Sequence, residues 1–181
     1  DVVIATWWET ALWVAALSPS KGRKFYFVQG HEIFAPIPAD RAAATYRLPM
    51  QKITVAGWLT ATMRDTYGDP TAITVPNAVD HTRFHAPPRD RGTPPTVGFL
   101  YSVEPVKGSD FAIAALTALR ERLPDVRVLA FGGQPPVEEI PLPPWVQFQL
   151  HPPHDQIRQL YSSCDAFLMA SREEGFGMTV T

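Results

Sequence analysis

Short apolar runs alternate along the chain with segments whose apolar residues recur every three or four positions. Residues 2–6 read as a buried strand and residues 9–17 as a short helix. Residues 24–28 form the next expected strand, followed by an irregular stretch and a helix near 39–46. A strand at 52–55, a helix at 58–67 and a strand at 72–75 complete this half. Runs that are apolar on both faces and separated by helices predict a parallel sheet covered on both sides.

Residues 77–95, NAVDHTRFHAPPRDRGTPP, break that rhythm, being polar, rich in Pro and charge, and without an apolar period. A Pro-rich linker is expected within them at 86–95, dividing residues 1–85 from 96–181. The alternation then restarts with a strand at 96–101. Ser109 reads as a helix N-cap with Asp110 in the first turn. Ala112, Leu116, Leu119 and Leu123 follow at helical spacing, and Pro124 ends that helix. Strands are expected at 126–131, running into Gly132 and Gly133, and at 145–150. A helix at 155–163, a last strand at 166–170 and a helix opening at Gly175 complete the chain. The fold class is α/β: two incomplete Rossmann-like domains with parallel sheets covered by helices.

Composition narrows the function more by exclusion. With 45% hydrophobic and 19% charged residues the chain is globular, not disordered. A formal charge of −2 gives no electrostatic reason to expect nucleic acid. Cys164 is the single cysteine, which excludes an intrachain disulfide and a cysteine-based zinc cluster and fits a reducing compartment. No apolar run reaches membrane-spanning length, and the start has neither an initiator Met nor the basic region of a signal peptide. Both ends read as cut. The 19 prolines, mostly in pairs between apolar runs, read as stiff loops.

Ligands of open parallel sheets bind outside the carboxyl ends of the strands. In the second half that edge carries SVEPVKGSD, GGQPP, HPPHDQ and SREEGFG. Lys107, just before a helix, suits a phosphate, and Gly132, Gly133, Gly175 and Gly177 allow close backbone approach. Glu173 or Glu174 offers acceptors to hydroxyls. Neither GxGxxG nor GxxxxGK[ST] is present, which disfavours a dinucleotide oxidoreductase and a P-loop nucleotidase. His151 and His154 are separated by two prolines and have no completing metal ligands, so they read as loop histidines. The spacing of Trp7, Trp8 and Trp13 suggests packing, with Trp8 near enough to a strand end to retain some chance as a carbohydrate platform.

VPNAVDHTRF, KGSDFAIAAL and YSSCDAFLMASREEGFGMTVT, in that order, resemble the retaining glycosyltransferases of family 4 (group 1). That family has the GT-B fold, two Rossmann-like domains of which the second binds a sugar nucleotide. The resemblance implies that residues 1–85 are the later part of the acceptor-side domain and 96–181 the first part of the donor-binding domain. DVVIATWWETA and KFYFVQGHEIF carry the acceptor-side likeness, and the FVQ run is similar to members that build bacterial surface polysaccharides, some of them rhamnosyltransferases.

The resemblance also implies roles. Lys107 would hold the donor diphosphate and offset charge on the leaving group. Glu174 would be the first acid of the family's paired acids, beside the transferred sugar. The second acid, which grips the nucleotide ribose, would fall at the residue after Thr181. Gly175, Phe176 and Gly177 would bring backbone amides to the sugar and phosphates, while Gly132, Gly133 and the His151-Pro152 turn would flank the nucleotide. Transfer without a metal or other cofactor is expected, from a nucleotide-diphosphate sugar to a glycan or lipid-linked acceptor. A cytoplasmic protein is expected, at the inner face of the membrane if the full-length protein associates with it peripherally. The 181 residues alone are expected to be inactive.

Two positions depart from the family pattern. Ser102 stands where an Arg is usual, so diphosphate neutralisation would rest on Lys107, the helix dipole and another basic residue. Gln29 stands where a sugar-facing His is common, with His31 nearby. These departures sustain a second reading, a non-catalytic GT-B-like module that binds a nucleotide sugar or a partner. A third is a different GT-B enzyme, such as an epimerase or an inverting transferase.

Overall fold

The computed structural model describes residues 1–180. Packing divides them into two compact units, one of Asp1–Ala78 with Glu174–Met178, the other of Val79–Glu173 with the residues from Thr179.

The first unit runs β1 (Val2–Ala5), α1 (Trp8–Ala16), β2 (Arg23–Val28), α2 (Ala39–Thr45), β3 (Gln51–Thr54), α3 (Gly57–Tyr67) and β4 (Ile73–Thr74). Its four strands are all parallel and lie in chain order, with Ile4 opposite Phe25, Phe25 opposite Gln51 and Ile53 opposite Ile73. Tyr26 and Val28 share one face of β2 by the two-residue strand period and enter the core with Ala5, Val14, Tyr46, Leu59 and Met63. Leu59 and Met63 are one helical turn apart on α3, so a single stripe of that helix is buried. Gly68 ends α3 in the left-handed conformation, φ 71°, and its N–H reaches back to the Met63 carbonyl.

The second unit runs β5 (Thr96–Leu100), α4 (Ser109–Arg122), β6 (Arg127–Gly132), β7 (Val146–Leu150), α5 (His154–Ser163) and β8 (Ala166–Leu168). Its sheet is also parallel, but the strand order is β7-β6-β5-β8. Phe99, Tyr101, Ala112, Leu116, Val126, Val128 and Ala130 form its core. Residues 86–95 contain no helix or strand, and Asp165 gathers them in. Its carboxylate accepts the Gly92 and Thr96 amides at 2.9 and 2.7 Å and pairs with Arg89 at 3.0 Å.

Three expectations change. Ser109 is the first helical residue of α4, not its cap; the cap position belongs to Gly108, at φ 67°. Gly175 is not itself helical: Gly177 takes φ 80°, and a 3-10 turn over Met178–Val180 is the last described element. Trp8 is buried, at 5% exposed, which removes it as a carbohydrate platform, whereas Trp13 is 67% exposed instead of packed. Among the described residues no helix is long and apolar enough to cross a membrane.

Candidate functional site

The order β7-β6-β5-β8 means that the chain leaves β5 towards β6 and β7, then returns to the other side of β5 for β8. Where successive connections depart to opposite sides, the loops part and leave a crevice at the carboxyl edge of the sheet. A narrow crevice of about 10 Å³, room for about one water, lies there between the ends of β5 and β8, lined by Leu100, Lys107, Met169, Ala170, Ser171 and Thr179.

Local geometry delivers Lys107 to it. Pro105–Lys107 make a 3-10 turn closed by the Lys107 and Gly108 amides on the Glu104 and Pro105 carbonyls. Gly108 then turns left-handed into α4, and a Cβ there would lie 2.0 Å from the Ala170 carbonyl oxygen. Only glycine satisfies both the dihedral and the approach of β8's extension. Ser109, 1% exposed, donates its hydroxyl to the Ser102 carbonyl and accepts the Ser102 N–H, both at 2.8 Å. Ser102 is therefore held at the strand end by its backbone, and its own hydroxyl accepts the Glu104 amide at 3.1 Å.

Arg172 braces the same turn, a role the sequence reading did not assign. Its backbone N–H bonds the Val106 carbonyl at 2.8 Å and its guanidinium bonds the Pro105 carbonyl. The guanidinium also forks onto Asp110, at 2.8 and 3.2 Å, and lies 4.3 Å from the Phe111 ring centroid. Hydrogen bonding from Arg172 holds the Asp110 carboxyl below the usual range. Arg172 is the second basic side chain of this loop, but its charge is matched by Asp110. Its presence inside SREEGFG was the signal available.

Gly132, Gly133, His151 and Pro152 gather at the ends of β6 and β7. A Cβ on Gly132 would stand 2.4 Å from the Tyr101 carbonyl oxygen, so β5 and β6 close tightly at that edge. The His151 N–H bonds the Gly132 carbonyl at 2.9 Å, and His151 itself is left-handed at φ 46°. The Tyr101 hydroxyl bridges the Ile140 carbonyl and the Val137 amide, holding the loop after Gly133.

The remaining candidates pack in the first unit. Gly175 lies on the Gln29 carbonyl so closely that a Cβ would fall 1.6 Å from its oxygen. The Trp58 indole N–H bonds the Gly175 carbonyl at 2.9 Å, and Phe176 packs on the core. Gln29 donates to the Thr6 carbonyl at 3.3 Å, and His31 Nε2 lies 2.6 Å from the Tyr67 hydroxyl. Thus Ser102, Lys107, Gly132, Gly133, His151 and Pro152 share the carboxyl edge of the second sheet, while Gln29, His31, Glu174, Gly175, Phe176 and Gly177 belong to the first unit.

Between them the first unit holds a carboxyl that the sequence reading missed. Glu32 is 3% exposed and accepts the Trp8 amide at 2.8 Å and the Tyr26 hydroxyl at 3.4 Å. Burial pushes its carboxyl up to about 7, against the downward pull of those two hydrogen bonds. A separate hollow of about 440 Å³, lined by Arg47, Gln51, Lys52, Tyr67 and Asp69, lies at the amino end of β3. Its Lys52 already pairs with Asp69 at 2.9 Å, and sheets of this kind bind ligands at the opposite edge.

The family model described as "Glycosyl transferases group 1" matches residues 80–181, more than half of the chain. A curated relative, the GDP-mannose-dependent alpha-(1-6)-phosphatidylinositol monomannoside mannosyltransferase of Mycolicibacterium smegmatis, is 31% identical over 122 residues, covering 59% of this chain and 32% of that protein. The crystal structure of TarM superposes with a TM-score of 0.79 at 12% identity, over 98% of this chain and 38% of that one. The pneumococcal O-GlcNAc transferase GtfA, in complex with UDP and GlcNAc, gives 0.68 at 15% identity, over 90% and 35%. Starch synthase IV of Arabidopsis thaliana, bound to ADP and acarbose, gives 0.62 at 13% identity, over 97% and 52%. At these identities the likeness shows the fold, the two-sheet α/β GT-B fold. The chain spans about a third of the curated relative's length.

Proposed function

Because the chain belongs to the glycosyl transferases group 1 family, we propose that its second unit is the nucleotide-sugar site of a retaining transferase. The enzyme moves a hexosyl or deoxyhexosyl group from a nucleotide-diphosphate sugar to a glycan or lipid-linked acceptor. One observation carries this reading: Lys107 stands at the carboxyl edge of the second sheet where β5 and β8 meet and the connections diverge.

In this reading Lys107 and the N-terminus of α4 take the donor diphosphate. As the bond from the anomeric carbon to the diphosphate oxygen breaks, their positive charge meets the charge developing on the leaving group. Gly132, Gly133, His151 and Pro152 flank the nucleotide. Glu174 accepts hydrogen bonds from the transferred sugar, and Gly175, Phe176 and Gly177 supply backbone amides. Gln29 and His31 face the transferred sugar. Ser102 contributes a neutral hydroxyl in place of a cation, so the diphosphate relies on Lys107. No metal is needed in this scheme.

The mannosyltransferase relative is named for a phosphatidylinositol-linked acceptor. That supports a lipid-linked acceptor here, in polysaccharide or glycolipid synthesis at the inner face of a bacterial membrane. Since the chain spans about a third of that relative, the activity is proposed for the full-length protein and inactivity for the 181 residues alone. Ser102 and Gln29 favour one second reading, a module that binds the nucleotide sugar without transferring it.

Turnover separates the two. The full-length protein is offered UDP-, GDP-, dTDP- and ADP-sugars with and without chelator, and one donor class is expected to be consumed equally under both conditions. Glu174→Gln is expected to lower kcat roughly 100-fold or more while nucleotide affinity changes less than about threefold. Nucleotide binding without transfer or donor hydrolysis, unaltered by Glu174→Ala, would replace the catalytic reading with the binding module. An inverted product would remove retention.

A further inference from the structure

The loop that follows β2 is fixed from three sides, and Glu32 contributes both its carboxyl and its backbone to that fixing. The Glu32 carboxyl crosses to α1 and takes the Trp8 N–H, at 2.8 Å, in the first turn of that helix. The Glu32 backbone N–H donates to the Tyr46 hydroxyl at 2.8 Å, and that hydroxyl donates to the Gly30 carbonyl at 3.3 Å. Gln29 ties the start of the loop to the Thr6 carbonyl, just before α1. His31 sits between these anchors, stacked on Tyr46 and bonded to Tyr67. The backbone of Gln29 and Gly30 is also the surface on which Gly175 rests.

We propose that Glu32 is a positioning residue: by bonding the first turn of α1 it sets the 29–32 loop, which presents Gln29 and His31 and seats Gly175. The functional part of this inference rests on the glycosyltransferase reading above. A carboxyl suits the task because the unpaired helix N–H needs an acceptor, which both the neutral acid and the carboxylate offer. An apolar residue would leave the Trp8 amide buried without a partner.

The groups that face the carboxyl come from each element around it. Trp8 on α1 presents its amide, and Arg41 of α2 lies over the Trp8 ring at 5.3 Å from the centroid. Tyr26 on β2 presents its hydroxyl to the carboxyl, and Tyr46, just after α2, presents its own to the Glu32 backbone. Both hydroxyls are pushed well above the usual tyrosine range, mainly by burial. His31, the sequence neighbour, and Tyr67 of α3 lie one contact further out. The tyrosines stay neutral across the working range, so Glu32 titrates against neutral partners, near pH 7.

The test uses the full-length protein with Glu32→Gln, Glu32→Ala and Tyr46→Phe. Acceptor kcat/KM and nucleotide Kd are measured between pH 5.5 and 8.5, with hydrogen exchange read at residues 6–10 and 29–32. Glu32→Ala is expected to lower acceptor kcat/KM about tenfold or more, with nucleotide Kd within roughly twofold. Glu32→Gln, which keeps an acceptor for Trp8, is expected to restore most of the loss and to remove an inflection near pH 7 from the wild-type profile. Tyr46→Phe is expected to fall between them and carries the test if Glu32→Ala does not fold. Unchanged acceptor kinetics in all three variants would overturn the proposal, as would an equal loss of nucleotide and acceptor binding. If the wild type binds nucleotide but transfers nothing, the catalytic reading fails on its own account. Glu32 is then judged by exchange: roughly tenfold faster exchange at 6–10 and 29–32 in Glu32→Ala supports the anchor, and unchanged exchange overturns it.

Discussion

The two units are built from the same parts and differ in order. In the first, β1 to β4 lie side by side in chain order, so every crossover steps in the same direction. In the second, the step to β8 reverses past β5. A reversal leaves neighbouring loops diverging, and divergence makes room for a ligand. The same contrast recurs in the acids. The first unit buries Glu32, whose carboxyl is pushed up, whereas the second pulls Asp165 below its ordinary range through the Gly92 and Thr96 amides and then Arg89. The second unit thus uses Asp165 to clamp the 89–96 segment at the amino edge of its sheet, opposite the crevice, and the first uses Glu32 to pin a helix to a loop.

The largest expected effect breaks the second unit at its reversal. Gly108→Ala combines the left-handed dihedral, about 1–2 kcal/mol, with a Cβ placed 2.0 Å from the Ala170 oxygen. A loss of about 4 kcal/mol is expected by denaturant unfolding, together with loss of nucleotide binding. A stable variant with intact binding would show that β8's extension is free to move away.

A matched pair of core truncations comes next. Leu59→Ala and Leu116→Ala each empty a fully packed site, at 0% and 2% exposure, and each is expected to cost about 3 kcal/mol. Nucleotide at about 100 times its Kd contributes about 2.7 kcal/mol to whatever it binds. Local exchange is expected to show the larger restoration for Leu116→Ala, because only Glu174 to Gly177 of the first unit are assigned to the donor. Equal rescue would mean that the nucleotide does not bind mainly through the second unit.

The pH response is smaller and opposite in sign. Glu32 has a folded value of about 7 against an ordinary 4.5, so its contribution is present below 4.5 and is lost as pH rises through 7. Partial solvent screening limits that loss to on the order of 2 kcal/mol. Asp165 lies below 3.8 when folded, so its contribution is present above 3.8 and is lost as pH falls beneath it. Exchange corrected for intrinsic rates should show the first unit weakening towards alkaline pH and the second towards acid. Glu32→Gln should flatten the first slope and Asp165→Asn the second. A first unit unaffected by Glu32→Gln would mean that the carboxyl is solvated.

Much of the fold was legible because periodicity is a local signal. Leu59 with Met63 and Ala112 with Leu116 announce one-sided helices, and the apolar run of β2 announces a strand covered on both faces. Strand order is not local, and nothing in residues 96–168 states that β8 lies beside β5. Capping was misread at Ser109 because its hydroxyl prefers the Ser102 backbone, a partner seven residues away. Lys107 was visible through its motif. Arg172 and Glu32 were not singled out, since their roles come from Asp110 and Pro105, and from Trp8 and Tyr46, which only the folded chain brings near. Glycines were readable as permissive positions, but the close approaches of Gly108 to Ala170 and of Gly175 to Gln29 required coordinates.

The central claim is that the carboxyl edge of the second sheet, where β5 and β8 meet, binds the donor nucleotide through Lys107. Its most direct test is the equilibrium affinity of the full-length protein for the preferred nucleotide sugar, wild type against Lys107→Ala. The expected result is a Kd raised about tenfold or more, some 1.4 kcal/mol, in a variant that still unfolds in one cooperative thermal transition. An unchanged Kd in a folded Lys107→Ala variant would contradict the assignment.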